Sequence, residues 1–442
     1  MSKKIRNFIF FSFIILFVAG TIIISLYASG YKFNLSWPLR FNRVLIKTGM
    51  IAVDSEPDGA IIYLNNEPQK YFSLNPWKKD YLETAAKIKN IIPGDYSITL
   101  KKDGYWPASK RVSVFSNQTT FAEDIKLFPS DSPLLVSSSP ESLLSISPDY
   151  SYVYSQENAA LFSTEKNEGV NIKNATDKTA YWLKNSQDIL VGGRLYQNDG
   201  LLKNDYLKLI GETTSNWKID ENSDRLYFKN GSSLGYLQLR SSASGVLIKN
   251  REIIDYETSG DSVFVVSKDN GRQKIEHYDK NGQILNDNYE LPSIGNYHFC
   301  TSNGNHLCLY DERNQTLFLF SSDNLANNQK DLRNIKSWQW LDNDNLLYSN
   351  GPEIYQLDLE NNRNELVARY GESINDLIWY KKKDCLIFST AGSINVFDLK
   401  AGLTTKLASA EKIYSPVIDE KNATLYFWAS VSGQDGIYKL GL

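Results

Sequence analysis

The sequence predicts an all-β protein behind one membrane-spanning helix, built as a compact β-module followed by a β-propeller. Three observations carry this. Phe8 to Tyr27 is twenty residues without a charge, immediately behind Lys3, Lys4 and Arg6. The rest of the chain alternates short apolar runs with Gly, Asn, Asp and Ser clusters, the pattern of strands and turns. From about residue 143 a motif recurs with a period near 40.

At 1.5 Å per residue, the apolar run spans roughly 30 Å, the thickness of a bilayer's hydrocarbon core. It is longer than the ~7–15 apolar residues of a cleaved signal. The reading is therefore a tail over residues 1–7 and an uncleaved transmembrane helix over 8–28. A cleaved signal (Ala28-Ser29-Gly30 supplies small residues) and a buried hairpin of a soluble protein remain the alternatives. The tail holds three basic residues and no acid, which favours a cytoplasmic N-terminus. The other flank is also basic, with Lys32, Arg40, Arg43 and Lys47 before the first acid, Asp54. N-in is kept because long domains translocate largely regardless of charge. About 400 residues would then lie outside the cytoplasmic membrane.

A net charge of −3 supplies no bulk positive field for nucleic acid. With 27 Tyr, 20 Phe and 9 Trp, the composition suits strands and packed cores. Three cysteines in an exported chain of 442 residues are too few to be its framework.

Residues 29–48, with Trp37-Pro38, read as a juxtamembrane linker. Met50 to Ser55 then reads as a strand, Glu56-Pro57-Asp58-Gly59 as a turn and Ala60 to Leu64 as the returning strand. Pro93-Gly94-Asp95 turns into Tyr96 to Leu100, and short strands follow over Arg111 to Phe115 and Thr120 to Leu127. This gives an all-β module over 49–128.

The residues of that module resemble the PEGA domain. The run Val53-x-Ser55-x-Pro57-x-Gly59-Ala60-x-Ile62-Tyr63-Leu64-Asn65 is followed by Ile92-Pro93-Gly94-x-Tyr96-x-Ile98-x-Leu100 and Lys102-x-Gly104-Tyr105. The name-giving tetrapeptide stands here as Glu56-Pro57-Asp58-Gly59-Ala60. The resemblance implies a small β-sandwich-like module of surface proteins without catalytic residues. The chain departs from the family by an insertion, Glu67 to Tyr81 with Trp77, which is either a packing flap or a binding loop.

Residues 129–142 hold Pro129, Pro133 and Pro140 among six serines, a semi-rigid linker interrupted by the apolar patch Leu134-Leu135-Val136. Residues 143–442 are the propeller. Trp340, Leu346-Leu347-Tyr348-Ser349 and Ile354 to Asp358 correspond to Trp379, Leu386-Ile387-Phe388-Ser389 and Ile394 to Asp398. Anchors fall at Ser147, Trp182, Trp217, Tyr256, Phe299, Trp340, Trp379 and Val417, spaced 35 to 43 residues apart. Eight anchors suggest eight blades, with seven the alternative. The last unit lacks an outermost strand, which Leu134-Leu135-Val136 could supply, closing the ring. These repeats resemble WD-repeat-like and TolB-like propellers in architecture, without a clean Trp-Asp signature.

One constellation offers chemistry. His298-x-Cys300 and His306-x-Cys308 flank Asn303-Gly304. A three-residue loop would put all four side chains on one face, a Cys₂His₂ zinc set, whereas a two-residue Asn-Gly turn would split them. Plain packing is the favoured reading; metal binding and a Cys300–Cys308 disulfide are the others. Asp342-Asn343-Asp344-Asn345 resembles half a calcium loop but lacks the following Gly and distant Glu, so it reads as a polar turn. His277 reads as a surface or structural residue. The anchor tryptophans read as core rather than as a sugar platform. No phosphate loop or His-Glu-x-x-His occurs.

No catalytic residue, metal or cofactor is therefore assigned. The expectation is a non-catalytic, membrane-anchored binding or scaffold protein of the cell envelope, single-pass and N-in. Its propeller face would bind a protein or glycan, not nucleic acid. The alternatives are an envelope polysaccharide-active enzyme with carboxylates at the propeller opening, and a self-associating surface component.

Overall fold

The computed structural model describes residues 3–33, 45–71, 81–166, 168–173, 175, 177–184, 187–220, 222–325 and 330–442. Trp37, Pro38, Arg40, Arg43 and the insertion's Trp77 lie outside them. Two compact units are present, residues 1–131 with 397–407, and residues 132–396 with 408–442.

The first unit begins with α1 (Lys3–Ala28), 26 residues long and without one buried side chain. It is long and apolar enough to cross a membrane. The basic residues read as a separate tail belong to its first turns. Residues 29–48 are more than a linker: β1 (Tyr31–Phe33) pairs antiparallel with β2 (Leu45–Lys47).

The β-module is two sheets face to face. Its strands are β3 (Gly49–Glu56), β4 (Ile61–Leu64), β5 (Glu67–Pro68), β6 (Ala86–Ile91), β7 (Gly94–Lys101), β8 (Ala108–Val114) and β9 (Thr119–Lys126). One sheet runs β6-β3-β9, the other β5-β4-β7-β8. The expected hairpin of β3 and β4 is not formed, because the turn between them carries the chain from one sheet to the other. Ser55 holds this corner by donating to the Pro57 carbonyl at 2.9 Å, while Thr84 Oγ1 lies 2.6 Å from Ser55 Oγ and accepts the Ala60 amide. Gly59 turns at φ +84°, a conformation that favours glycine. Crossing between sheets is also what buries both strands: Ile51 and Val53 of β3 meet Ile62 of β4 and Ile98 and Leu100 of β7 in one core.

The second unit is a β-propeller. Counting residues 397–407, which complete sheet VII but cluster with the first unit, the described residues form eight four-stranded sheets here, I to VIII, spanning 144–171, 180–205, 215–248, 252–290, 297–332, 337–369, 376–409 and 412–441. Sheet VIII takes only three strands from its own stretch, and β10 (Leu134–Ser138) is the fourth, antiparallel to Gln434–Gly441. The first strand of sheet I lies beside that of sheet VIII.

Core clusters straddle neighbouring sheets, which explains the continuous apolar triplets in the sequence. In Leu226-Tyr227-Phe228, Leu226 and Phe228 pack with Leu190 and Leu195 of sheet II, while Tyr227 packs with Tyr256 and Val265 of sheet IV. Val263 and Val265 likewise face sheet III, and Phe264 and Val266 face sheet V. Strands buried on both faces lose the apolar-polar alternation of a half-exposed sheet. Sheets I and VIII share a core of the same kind, in which Leu144 and Val153 meet Tyr426 and Ile437.

A polar cavity at the ends of the first strands

The anchors at Trp182, Trp217, Tyr256, Phe299, Trp340, Trp379 and Val417 lie in the first strands of sheets II to VIII, and Ser147 follows that of sheet I. Two of the cavities lined by these strands reach across four sheets each. The more polar one, about 470 Å³, opens where the first strands of sheets II to V end. The other, about 520 Å³, is lined by Trp338, Gln339 and Asp376 and by the aliphatic side chains Ile146, Leu377, Ile378, Val417 and Ile418.

Lys218 organises the polar cavity. Its ammonium donates to the Tyr256 carbonyl at 2.6 Å and to Glu257 at 2.9 Å, stands 4.0 Å from Asp255, and lies 5.3 Å from the centre of the Tyr256 ring. Burial works against its charge, but Glu257 and Asp255 outweigh burial and raise its pKa, so it stays protonated. Asp255 accepts from Asn216 Nδ2 and from the Phe299 amide, both at 2.6 Å. One buried carboxylate thus ties the first strands of sheets III, IV and V. Burial also drives the Tyr256 phenol far above its ordinary pKa; it donates to the Asn216 carbonyl.

In the second cavity Asp376 accepts from Ser389 Oγ. Burial raises its pKa in spite of that hydrogen bond. A buried carboxyl whose pKa is raised beside a cavity is the kind of group that serves as a general acid.

The His-Cys constellation takes neither the packing nor the metal form. Cys300 and Cys308 are joined by a disulfide across a Cα separation of 5.2 Å. The turn is two residues, pairing Asn303 with His306, yet a bulge between Cys300 and Asn303 returns Cys300 to a position opposite Cys308. Both thiols are consumed, so neither serves as a thiolate ligand. His298 sits opposite Tyr310 with their rings edge to face, whereas His306 stacks on Trp340 and bonds to Asp344 at 3.0 Å. Among the described residues no group of three or more His, Cys, Asp or Glu side chains could hold a metal ion.

Asp342 closes a polar turn, its Oδ1 accepting the Asp344 and Asn345 amides at 3.0 and 2.9 Å. His277 is not on the surface. It is buried, stacked on Phe264 at 4.4 Å and bonded to Ser262 Oγ at 2.8 Å. Trp182 and Trp340 are half-buried, and their indoles donate to Ser145 Oγ and the Thr301 carbonyl, both at 3.0 Å.

Sequence reasoning missed Lys218, Asp255, Glu257 and Asp376. A signal for the first three was present: they flank the anchors Trp217 and Tyr256, and polar residues beside a core anchor on an innermost strand are unusual enough to examine.

An apolar helix, a two-sheet module and a β-propeller with polar groups at its strand ends define the class of protein. Residues 78–127 match the PEGA domain model. No curated protein matches the sequence. Solved structures similar to the chain include the Dos1 propeller, with TM-score 0.45 and 11% identity over 70% of this chain and 94% of that one. A structure of the mitotic checkpoint complex gives 0.39 and 10%, over 71% and 93%. Kluyveromyces lactis Hsv2p gives 0.36 and 12%, over 49% and 71%. With every score below 0.5, these likenesses carry no weight beside the strand pairing itself.

Proposed function

We propose that this chain is a membrane-anchored, non-catalytic binding protein of the cell envelope, N-terminus inside, whose propeller binds an envelope protein or glycan. The polar cavity carries the reading. Its principal cation is locked between two carboxylates and a carbonyl, an arrangement that shapes a rigid site and leaves no free nucleophile or base at Lys218. Two further features support the placement. The helix α1 presents its whole apolar surface outward. The Cys300–Cys308 disulfide suits an oxidising compartment. The domains would act as anchor (8–28), spacer or docking module (49–128) and binding disc (143–442, closed by β10).

The test mixes full-length, detergent-solubilised protein with isolated envelope material and follows co-sedimentation. Saturable binding is expected, and its absence would remove the envelope-docking reading. Proteolysis of intact cells should degrade the propeller; protection of the propeller alongside cleavage of a known external protein would reverse the orientation.

Asp376 favours a second reading, an envelope polysaccharide-active enzyme using this carboxyl as general acid. Asp376→Asn would then abolish turnover of an envelope polysaccharide. Under the binding reading no such turnover exists, and the substitution changes stability alone. The folded pKa of Asp376 is raised, so its contribution to stability is lost as pH rises above the usual carboxylate range. Asn at this position therefore makes the protein more stable at pH 7.

A further inference from the structure

We infer that the second cavity, lined from sheets VI, VII, VIII and I, takes the ammonium-tipped side chain of a lysine from a protein partner. This rests on the binding reading above in its protein form, and names the side chain that is recognised.

An uncompensated carboxylate is the first ground. Asp376 opens the first strand of sheet VII (Asp376–Tyr380) and lines the cavity. Its Oδ2 accepts from Ser389 Oγ. Among the described residues, which include every residue of the four first strands, its side chain makes no other hydrogen bond and no ion pair. Burial raises its pKa in spite of Ser389, the behaviour of a carboxylate with no cation beside it. Tyr414 of sheet VIII supplies no charge, because burial, with Asp376 and Glu141 near, pushes its phenol up and keeps it neutral. The other charged lining residue is Lys336, exposed and one position before the first strand of sheet VI, where water and salt screen it. An incoming cation therefore gains a partner in Asp376, whereas an anion is repelled by it.

The walls are the second ground. Around Asp376 they are aliphatic, formed by Ile146, Leu377, Ile378, Val417 and Ile418. The four-carbon stem of a lysine packs on such walls while its ammonium reaches the carboxylate. Arginine fits less well, since its two-pronged grip needs both carboxylate oxygens and Ser389 already holds one. A wholly apolar ligand would cover Asp376 without giving it a partner, which costs free energy. At about 520 Å³ the space falls in the ~300–1,000 Å³ range of small-ligand sites.

The test is isothermal titration of the full-length, detergent-solubilised protein with the capped peptide Gly-Gly-Lys-Gly-Gly. Three further peptides carry arginine, Nε-acetyllysine or norleucine in place of the lysine, and cadaverine serves as a free amine. The lysine peptide should bind saturably. The acetyllysine and norleucine peptides, which keep the stem without the charge, should bind about tenfold more weakly or less, the scale of one charge-assisted hydrogen bond. Arginine should be several-fold weaker than lysine. Asp376→Asn should lower affinity for the lysine peptide about tenfold and erase its advantage over acetyllysine. Val417→Thr, close in shape and folded should Asp376→Asn fail to fold, should weaken the lysine and norleucine peptides alike by several-fold. Lys336→Gln should leave lysine binding unchanged or slightly tighter at low salt. The inference is overturned if the lysine peptide does not bind at millimolar concentration, if norleucine or arginine equals it, or if cadaverine binds and the peptide does not. It is equally overturned if folded Asp376→Asn binds as the unaltered protein does, or if Lys336→Gln abolishes binding, which marks an anion site. Envelope co-sedimentation separates the two readings. Saturable envelope binding without peptide binding overturns the lysine assignment alone, whereas peptide binding without envelope binding overturns the envelope reading alone.

Discussion

Lys218 shows how one side chain sets the interior of the propeller. Its ammonium compensates Asp255 and Glu257, and Asp255 in turn holds the Phe299 amide. Lys218→Met keeps the aliphatic stem and removes the charge, leaving two carboxylates close together with little water. The expected loss is about 3 kcal/mol in urea unfolding, since breaking a buried ion pair from one side exposes the full desolvation cost of the other. Tyr426 gives a second expectation. Burial, with Asp419 nearby, pushes its phenol up to about 12, while the unfolded value is about 10. The folded state therefore holds this proton more tightly. Its contribution is complete below pH 10 and is lost as pH rises from 10 to 12. Tyr426→Phe should accordingly show a shallower loss of stability than the unaltered protein between pH 9 and 11, read by urea unfolding at each pH. A parallel decline in both would mean that Tyr426 does not titrate in this window.

Sheet VIII is the element with the longest reach. Its outer strand β10 pairs with a strand some 300 residues further along the chain, Ser138 opposite Gly436. Gly436 is required there by close approach: a Cβ would stand 2.5 Å from both the Ser137 carbonyl oxygen and Leu135 Cδ1. Gly436→Val should cost about 2 kcal/mol by overpacking against backbone that cannot move aside. Hydrogen exchange should place the loss in residues 134–138 and 434–441. Uniform loosening of all eight sheets would argue against a local clash. The β-module makes the complementary point about turns. Ser55, Pro57 and Gly59 announce a tight corner in the sequence, and the corner exists. A hairpin was the simplest reading, but the corner passes between sheets because β3 finds its partners in β6 and β9.

At the level of the whole chain, the disulfide is the most accessible check. Without reductant only Cys385 should be available for alkylation after unfolding, and all three cysteines after reduction. Replacing Cys300 and Cys308 together by Ala should cost about 2–3 kcal/mol, the chain-entropy value for so short a loop. Full alkylation of the unreduced, unfolded protein would show that the bond is absent.

Much of the architecture is local and therefore legible. The apolar helix follows from twenty uncharged residues, the β-class from turn chemistry and short apolar runs, the PEGA-type module from its Ser-Pro-Gly corner, and the propeller from a period near 40. Each is written in neighbouring residues, because helix length, turn conformation and strand periodicity depend on short-range sterics and hydrogen bonds. What the sequence alone left open is non-local. The Cys300–Cys308 bond depends on one bulge that shifts the register, which spacing alone left between two alternatives. Lys218, Asp255, Glu257 and Asp376 acquire meaning only when separate strands end around a common space. A cavity is a property of backbones distant in sequence, so its charges and its chemistry were settled by tertiary packing.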